Sequence, residues 1–338
     1  MGGSTMPRSE PARAGSVASS CEAAELLRRL EAVALGAVRA AAVASARWNG
    51  RGDGMAADGA ATTAMRDALG SHVPRGTVVT GEGAKDEAPM LAPGEQLGGS
   101  GPGYDVAVDP LECTGLCAAG LPGALATIAM AGPGTLFSPG PAHYMDKLVV
   151  GAVARDAIDL AAGPVANTKA IARALGRPLA ELRVVVLDKP RHAGLVRLLR
   201  AEGVRVATPP AGDVAGALAA LLEDGEADVL MGVGGAPEGV MTACAVRALG
   251  GGMQARLAPQ RDDENRALAA SGVDARAILT LDDLAAGPAL FAAAGISSGL
   301  LPAARREGDR VRVHTLLVAD GAVARASVLV PVVFTEES

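Results

Sequence analysis

Acidic residues beside glycines carry the clearest chemical signal in this sequence. Asp58 ends the stretch NGRGDGMAAD, Glu82 lies between glycines in TGEGAKDE, and Glu238 follows the turn GVGGAP. Asp109 and Glu112 flank a proline-containing turn at the end of a predicted strand. Such turns let a ligand approach the backbone closely, so they favour binding over simple solvation. For any one acid, capping of a helix or turn explains the position equally well. Capping does not explain why all five acids occupy such positions.

The chemistry that suits these acids is the binding of hard divalent cations. Mg²⁺ and Mn²⁺ take oxygen ligands, usually carboxylates together with phosphate and water. Two such ions can activate a water and stabilise the leaving oxygen of a phosphoryl transfer. Lys189 and Arg191, in DKPRH, form a compact cationic loop suited to a second phosphate. A loop whose charges only aid solubility is the alternative for these two residues.

The composition excludes several classes of function. The 338 residues carry a net charge of −6, which gives no global basic field for nucleic acid. Aromatic residues make up 2%, too few for the stacking platforms that bind single strands. Hydrophobic residues reach 49%, which supports a sizeable core and excludes global disorder. The four cysteines are too few for a disulfide framework. We therefore expect a cytoplasmic protein that binds no nucleic acid, and the composition leaves room only for a local basic site.

Two segments bear on targeting and membranes. Residues 1–20 are small and polar and lack the apolar stretch of a secretory signal, so we predict a disordered tail. Residues 113–144 contain no Asp, Glu, Lys or Arg and have the length of a membrane span. Their prolines and glycines would break a single helix repeatedly. This segment is therefore predicted to form two buried strands with turns, and no membrane association is expected.

The apolar pattern predicts an α/β protein of two layered halves. The first, residues 21–160, is an α+β half with most of the acids; the second, residues 161–338, alternates strands and helices and carries Glu238. That alternation is typical of a parallel or mixed sheet covered by helices. Asp58 is placed as the cap of a helix, and Asp320-Gly321 predicts a hairpin turn. The predicted helices are 21–47, 59–69, 168–175, 192–202, 213–223 and 237–249; the predicted strands are 77–80, 104–109, 124–131, 182–188, 204–207, 227–231, 311–318 and 322–332.

Eight segments of this sequence resemble signature segments of the class II bacterial fructose-1,6-bisphosphatases, and they occur in the order and spacing of that family. The family is a branch of the lithium-sensitive, metal-dependent sugar phosphatases. The similarity covers residues 22–335, and eight ordered motifs are far more specific than any one. The segments are GRGDGMAADGAA (50–61), GEGAKDEAPML (81–91), VDPLECTG (108–115), YMDKLVVG (144–151), DKPRH (188–192), AGDVAGAL (211–218), GGAPEGV (234–240) and GGGMQARL (250–257).

The resemblance implies an α-β-α-β-α sandwich of two sheets and an enzyme that uses Mg²⁺ or Mn²⁺ as a homodimer or homotetramer. It implies catalytic roles for Asp109, Glu82 and Thr114, with Thr114 positioning the water and the phosphate. The implied metal ligands are the acids already singled out: Asp58, Glu82, Asp109, Glu112 and Glu238. The implied sugar-phosphate contacts are Glu112, Cys113, Thr114, Tyr144, Lys189, Pro190, Arg191, Ala211, Gly212, Asp213 and Gly235.

The chain departs from the family pattern around the substrate rather than at the metal ligands. Gly54 stands for a lysine, Cys113 for a glycine, Gly115 for an arginine and Ala211 for an aspartate, and 121–123 replaces a polar segment. We therefore expect metal-dependent hydrolysis of fructose 1,6-bisphosphate to fructose 6-phosphate and phosphate. One alternative is a diverged paralogue acting on another sugar or cyclitol phosphate. The other is a regulatory protein that binds sugar phosphates without catalysis, although a pure binder has no need for the acids.

Overall fold

The computed structural model describes residues 20–332 except 73, 83, 86 and 87, so the predicted tail falls almost entirely outside the described residues. The α-helices in the described part are Ser20–Ala46 (α1), Gly54–Gly70 (α2), Thr114–Ala119 (α3), Pro164–Ala174 (α4), Ala193–Ala201 (α5), Asp213–Leu221 (α6), Ala236–Leu249 (α7), Asp262–Ser271 (α8) and Leu281–Leu284 (α9). The strands are Gly76–Thr80 (β1), Ala84–Lys85 (β2), Ala88–Pro89 (β3), Gln96–Leu97 (β4), Tyr104–Glu112 (β5), Leu125–Ala131 (β6), Tyr144–Val150 (β7), Arg183–Val185 (β8), Arg205–Ala207 (β9), Val229–Gly235 (β10), Gly252–Leu257 (β11), Leu279–Thr280 (β12), Ala289–Gly295 (β13), Arg305–Glu307 (β14), Arg310–Ala319 (β15) and Ala322–Pro331 (β16).

Two mixed sheets form the framework. The larger runs in the order β14-β15-β13-β6-β5-β1-β4, with β16 on the other edge of β15, and only its β1–β5 pair is parallel among the described strands. The smaller runs β12-β11-β7-β10-β8-β9, with parallel pairs joining β10, β8 and β9. The βαβ rhythm of the sequence thus produces the parallel part of the second sheet, as expected for crossover helices.

Helices fill three layers around these sheets. α1 and α2 cover one face of the larger sheet, α6 and α7 lie between the two sheets, and α4 and α5 lie on the far face of the smaller one. Strand β6 shows why both faces must be covered. Ile128 and Met130 pack towards α1 and α2, whereas Leu125 and Ala129 pack towards α7. Side chains alternate between faces along a strand, so a continuous apolar run is buried on both sides. The layered α-β-α-β-α sandwich is confirmed.

The structure corrects two of the predictions. Asp58 does not cap its helix, because α2 already begins at Gly54 and its cap is Asp53, which accepts a hydrogen bond from Ala56 N at 2.9 Å. The segment 113–144 was predicted to hold two strands, but it contains α3 and β6 before β7 starts at its end. The segment lacks Asp, Glu, Lys and Arg, and β6 within it is buried at every position. None of the helices in the described residues has the length and apolarity needed to cross a membrane.

Chain segments from both predicted halves contribute to both sheets. β13 to β16, from the second half, extend the larger sheet, and β7, from the first half, lies inside the smaller one. The sheets therefore do not separate at residue 160, and the division into two halves stays a prediction. The C-terminal hairpin is as predicted: Asp320 and Gly321 both take positive φ angles, of 48° and 76°, which a two-residue turn of this type requires.

Candidate active site

An irregularity in β5 brings two carboxylates to the same side of a strand. Asp109 and Glu112 are three residues apart, and regular alternation would point them to opposite faces. The pairing of β5 with β6 shifts register between these two residues, as at a β-bulge, which re-aims the side chains. Asp109 Oδ1 also accepts a hydrogen bond from Leu111 N at 3.1 Å, which fixes the bend.

Other elements bring the remaining acids to the same place. Asp58 lies in the second turn of α2 and is buried, while Glu82 follows the end of β1 after Gly81. Gly81 is required there because a Cβ would lie 2.5 Å from the carbonyl oxygen of Leu91. Glu238 occupies the first turn of α7, beyond the end of β10.

One open cleft of about 340 Å³ collects all five acids. Its lining also includes predicted substrate contacts from three loops, which the chain separates by up to a hundred residues. Leu111 and Leu187, which the sequence did not single out, complete the wall. The predicted residues that line it are Asp58, Glu82, Asp109, Glu112, Cys113, Thr114, Lys189, Ala211, Gly212, Asp213 and Glu238.

The remaining predicted contacts lie beside the cleft rather than in its lining. Arg191 stacks over the ring of Tyr144, with its guanidinium carbon 5.1 Å from the ring centroid, and donates hydrogen bonds to Val233 O. Gly235 pairs with Tyr144 across β10 and β7. Pro190 opens the short 3₁₀ turn that carries Arg191. These contacts place a fixed cation next to an aromatic ring near the Lys189 wall.

The acids are close enough to share a cation. One carboxylate oxygen from each of Asp109, Glu112 and Glu238 lies within 4.8 Å of the others. Burial raises the pKa of Asp109, and the charge of Glu238 raises it further. Burial and then the Asp109 charge raise the pKa of Glu112. Burial, followed by the charge of Asp213, raises the pKa of Glu238 to about 7. Carboxylates held this way need a positive charge among them.

A divalent cation fits this cluster. Glu238 Oε2 is buried and has no hydrogen-bond partner among the described residues, which is costly unless a ligand supplies one. Gly235 leaves the space that this oxygen occupies, since a Cβ there would lie 1.7 Å from it. The donors are all carboxylate oxygens, as Mg²⁺ and Mn²⁺ prefer. Asp109, Glu112 and Glu238 would hold such an ion, with Asp58 and Glu82 at the rim of the same cluster.

The comparisons with known proteins agree with this geometry. The family described as "Bacterial fructose-1,6-bisphosphatase, glpX-encoded" matches residues 28–326. The chain is 44% identical over 294 residues to fructose-1,6-bisphosphatase 1 class 2 of Escherichia coli K12, covering 82% of this chain and 87% of the relative. The class 2 enzyme of Shigella flexneri matches with the same identity and coverage. The chain belongs to this family.

As a bacterial fructose-1,6-bisphosphatase by family, the protein is a phosphatase with an unusual residue beside its acids. Cys113 takes the left-handed conformation, with φ 65° and ψ 48°, where a non-glycine residue costs about 1 kcal/mol or more. Its Sγ lies 3.7 Å from Glu112 Oε1, and a Cβ placed on Gly212 would lie 3.6 Å from that sulfur. The departure at Cys113 therefore fills space between the acids and the Ala211–Asp213 loop.

The other departures of this bisphosphatase occupy different surroundings. A Cβ on Gly54 would lie 3.1 Å from Thr114 Cγ2, so this position faces the predicted catalytic threonine. At Gly115 a Cβ would meet no described atom within 4 Å. Ala211 lines the cleft, and Gly123 donates its N–H to Ser298 O at 2.7 Å. Cys113 and Ala211 thus line the cleft that a substrate would fill, and Gly54 lies against Thr114 of its lining.

Sequence reasoning missed Lys147, which pairs with Asp213 directly behind the cleft. The available signal was a lysine in the middle of the strand YMDKLVVG, directly before the apolar run LVV. An isolated lysine at such a position predicts a buried ion pair. The partner could not be identified, because it lies 66 residues further along the chain.

His192 fixes the loop that carries Lys189 and Arg191. Its Nδ1 lies 2.7 Å from Leu187 O and its Nε2 accepts from Val233 N at 2.9 Å, so the ring is neutral with the hydrogen on Nδ1. Burial lowers the pKa of His192, the Arg191 and Lys189 charges lower it further, and the Leu187 carbonyl and Asp146 oppose the shift.

We expect the contribution of His192 to the free energy of unfolding to fall as the pH drops below about 6.5. The unfolded chain then binds a proton at His192 that the folded protein accepts only at lower pH. His192→Gln should lower stability by about 1 kcal/mol at pH 8 through the altered hydrogen bonds, and should flatten the acid-side loss. Urea unfolding between pH 8 and 5 measures both, with His314→Gln as control. An unchanged pH slope in His192→Gln would refute the assignment.

Proposed function

We propose that the protein hydrolyses the 1-phosphate of fructose 1,6-bisphosphate, giving fructose 6-phosphate and phosphate. The observation that carries the proposal is the cleft that joins the Asp109, Glu112 and Glu238 carboxylates to Lys189 and Asp213. The E. coli and Shigella relatives carry the name of this activity, and the acids that the reaction needs all line this cleft.

The described residues support a division of labour in the cleft. The five acids would bind the divalent ion, with Asp109, Glu112 and Glu238 nearest to one another. A bound Mg²⁺ or Mn²⁺ would supply Lewis-acid polarisation of the phosphate and a more acidic water. Thr114 lies at the start of α3, where its Oγ1 donates to Leu111 O at 3.0 Å and is held next to Glu112. We assign it the orientation of the reacting phosphate and water.

The opposite wall suits the sugar and its second phosphate. Lys189 lines the cleft and Arg191 lies beside it, stacked on Tyr144, so two cations are available for a phosphate dianion. Asp213 lines the cleft between this wall and the acids and is assigned the sugar hydroxyls. The fixed span between the acids and Lys189 then selects for a bisphosphate over a monophosphate.

The assignments of the metal ion, the cellular compartment and the oligomeric state rest on family resemblance and composition. We assign Mg²⁺ or Mn²⁺ as the ion because every donor is an oxygen. We place the enzyme in the cytoplasm as a homodimer or homotetramer. The predicted half 21–160 contributes four of the acids. The predicted half 161–338 contributes Glu238 and the wall formed by Lys189 and Asp213.

A panel of phosphate esters tests the assignment. The protein with Mn²⁺ or Mg²⁺ is assayed for phosphate release from fructose 1,6-bisphosphate, fructose 1-phosphate, glucose 6-phosphate and inositol 1-phosphate. We expect the highest kcat/KM for fructose 1,6-bisphosphate, at least tenfold above fructose 1-phosphate, because only the bisphosphate engages the cationic wall. A higher kcat/KM for another ester would favour a diverged paralogue. Tight binding with no phosphate release from any ester would favour a regulatory protein.

A further inference from the structure

A buried lysine lies behind the cleft, outside the roles assigned so far. Lys147 in β7 has 0% of its side chain exposed, and it is the only buried lysine or arginine among the described residues. Its ammonium forms an ion pair with Asp213 and donates a hydrogen bond to Gly235 O at 2.8 Å. Removing an ammonium from water costs several kcal/mol unless its partners are well placed. The fold therefore keeps this lysine only together with these contacts.

The backbone around the pair is built to leave room for it. A Cβ on Gly234 would lie 2.0 Å from Asp213 Oδ2 and 2.9 Å from Lys147 Nζ. A Cβ on Gly239 would lie 3.2 Å from Lys147 Cδ and 2.3 Å from Met145 Sδ. The glycines at the junction of β10 and α7 thus let the lysine pass beneath the helix to reach Asp213.

The contacts of Lys147 join both sides of the cleft. Asp213 begins α6 and belongs to the wall assigned to the sugar, whereas Gly235 precedes α7 and its acid Glu238. β7 itself begins at Tyr144, the residue that Arg191 stacks on. A single ammonium group therefore connects the elements that carry the sugar wall and one of the clustered acids.

We propose that Lys147 is a positioning residue for the hydrolysis of the sugar bisphosphate. It holds the Asp213 carboxylate at the sugar and keeps the Gly235–Glu238 turn in register with it, without touching the substrate. This inference rests on the proposed function. It predicts that losing the ammonium weakens recognition of the sugar more than the chemical step, because Asp109, Glu112 and Thr114 are held by β5 and the turn into α3 rather than by Lys147.

The test is the kinetics of Lys147→Met on fructose 1,6-bisphosphate at saturating Mn²⁺. We expect KM to rise at least tenfold while kcat at saturating substrate stays within about threefold of the original protein. A purely structural lysine gives the opposite pattern: a smaller folded fraction lowers kcat and leaves KM unchanged. That pattern, or unchanged KM in a folded variant, would overturn the proposal.

A second variant disturbs the same pair without removing a charge. Gly234→Ala inserts a methyl group where Asp213 Oδ2 lies, so the carboxylate must move away from its position, and KM should again rise at least tenfold. The matched control is Gly194→Ala in α5, where a Cβ meets no described atom within 4 Å and no change in KM is expected. Circular dichroism establishes which variants fold, and Gly234→Ala decides the question if Lys147→Met does not.

Phosphate release by the original protein separates a failure of the proposed function from a failure of the role assigned to Lys147. If it releases no phosphate from fructose 1,6-bisphosphate, the proposed function fails and the role of Lys147 fails with it. If it is active and both variants keep its KM, only the role of Lys147 fails.

Discussion

Replacing Glu82 by glutamine is expected to lower kcat/KM for fructose 1,6-bisphosphate by about 10²- to 10⁴-fold, which corresponds to several kcal/mol of transition-state stabilisation. The amide keeps the size of the side chain but loses the charge that a divalent ion requires. Glu82 lines the cleft and is only half-buried, so the free energy of unfolding should change little. Phosphate release and urea unfolding of the same preparation measure the two effects separately.

Glu223→Gln is the matched control for this experiment, because Glu223 is exposed on the loop after α6 and lies outside the cleft lining. Its kinetics should equal those of the unchanged protein. An unaltered turnover in Glu82→Gln would remove Glu82 from the metal site. A large loss of stability in Glu82→Gln would assign it a structural role instead.

The elements that the sequence predicted best are those with strong local patterns. The helix 21–47 and the strand 124–131 differ from α1 and β6 by a residue or so at each end, because apolar spacing alone decides them. The first residues of helices were harder to predict. The prediction placed the cap at Asp58, but Asp53 caps α2, and this moves Asp58 into the second turn of the helix with its carboxylate in the cleft.

The site was predictable in its residues but not in its geometry. Acids beside glycines at turns could be identified because close approach of a ligand leaves that local signature. The register shift that brings Asp109 and Glu112 to one side of β5 depends on pairing with β6, which no local pattern specifies. The role of Lys147 could not be predicted either, because it depends on contacts with Asp213 and Gly235, which are distant in sequence.

The pattern of departures fits a division between chemistry and recognition. The carboxylates that would hold a cation fit the family pattern, whereas Cys113 and Ala211 line the substrate space and Gly54 lies against Thr114. A strained residue such as Cys113 persists only where the surrounding structure holds it. Differences from the relatives should therefore appear in substrate affinity before they appear in the requirement for metal.

That requirement can be tested by removing the ions. Chelation of divalent ions is expected to abolish phosphate release, and added Mn²⁺ or Mg²⁺ to restore it. Binding to the folded state alone should also raise the free energy of unfolding, by about 2.7 kcal/mol at an ion concentration of about 100 times Kd. Thermal unfolding with and without Mn²⁺ measures this independently of activity. Full activity in chelator, or no thermal shift with Mn²⁺, would contradict the metal site.

In the chelated protein, Glu238→Gln is expected to raise the free energy of unfolding rather than lower it. The pKa of Glu238 is raised from 4.5 to about 7, so the unfolded chain loses this proton at lower pH than the folded protein, and stability falls as the pH rises through that window. Without metal at pH 8, the variant should therefore be more stable than the original by about 1–3 kcal/mol. With Mn²⁺ the original should regain the advantage, since only it offers the carboxylate. If Glu238→Gln instead destabilises the chelated protein, the carboxylate is satisfied by the fold itself and the site has no need of a cation at Glu238.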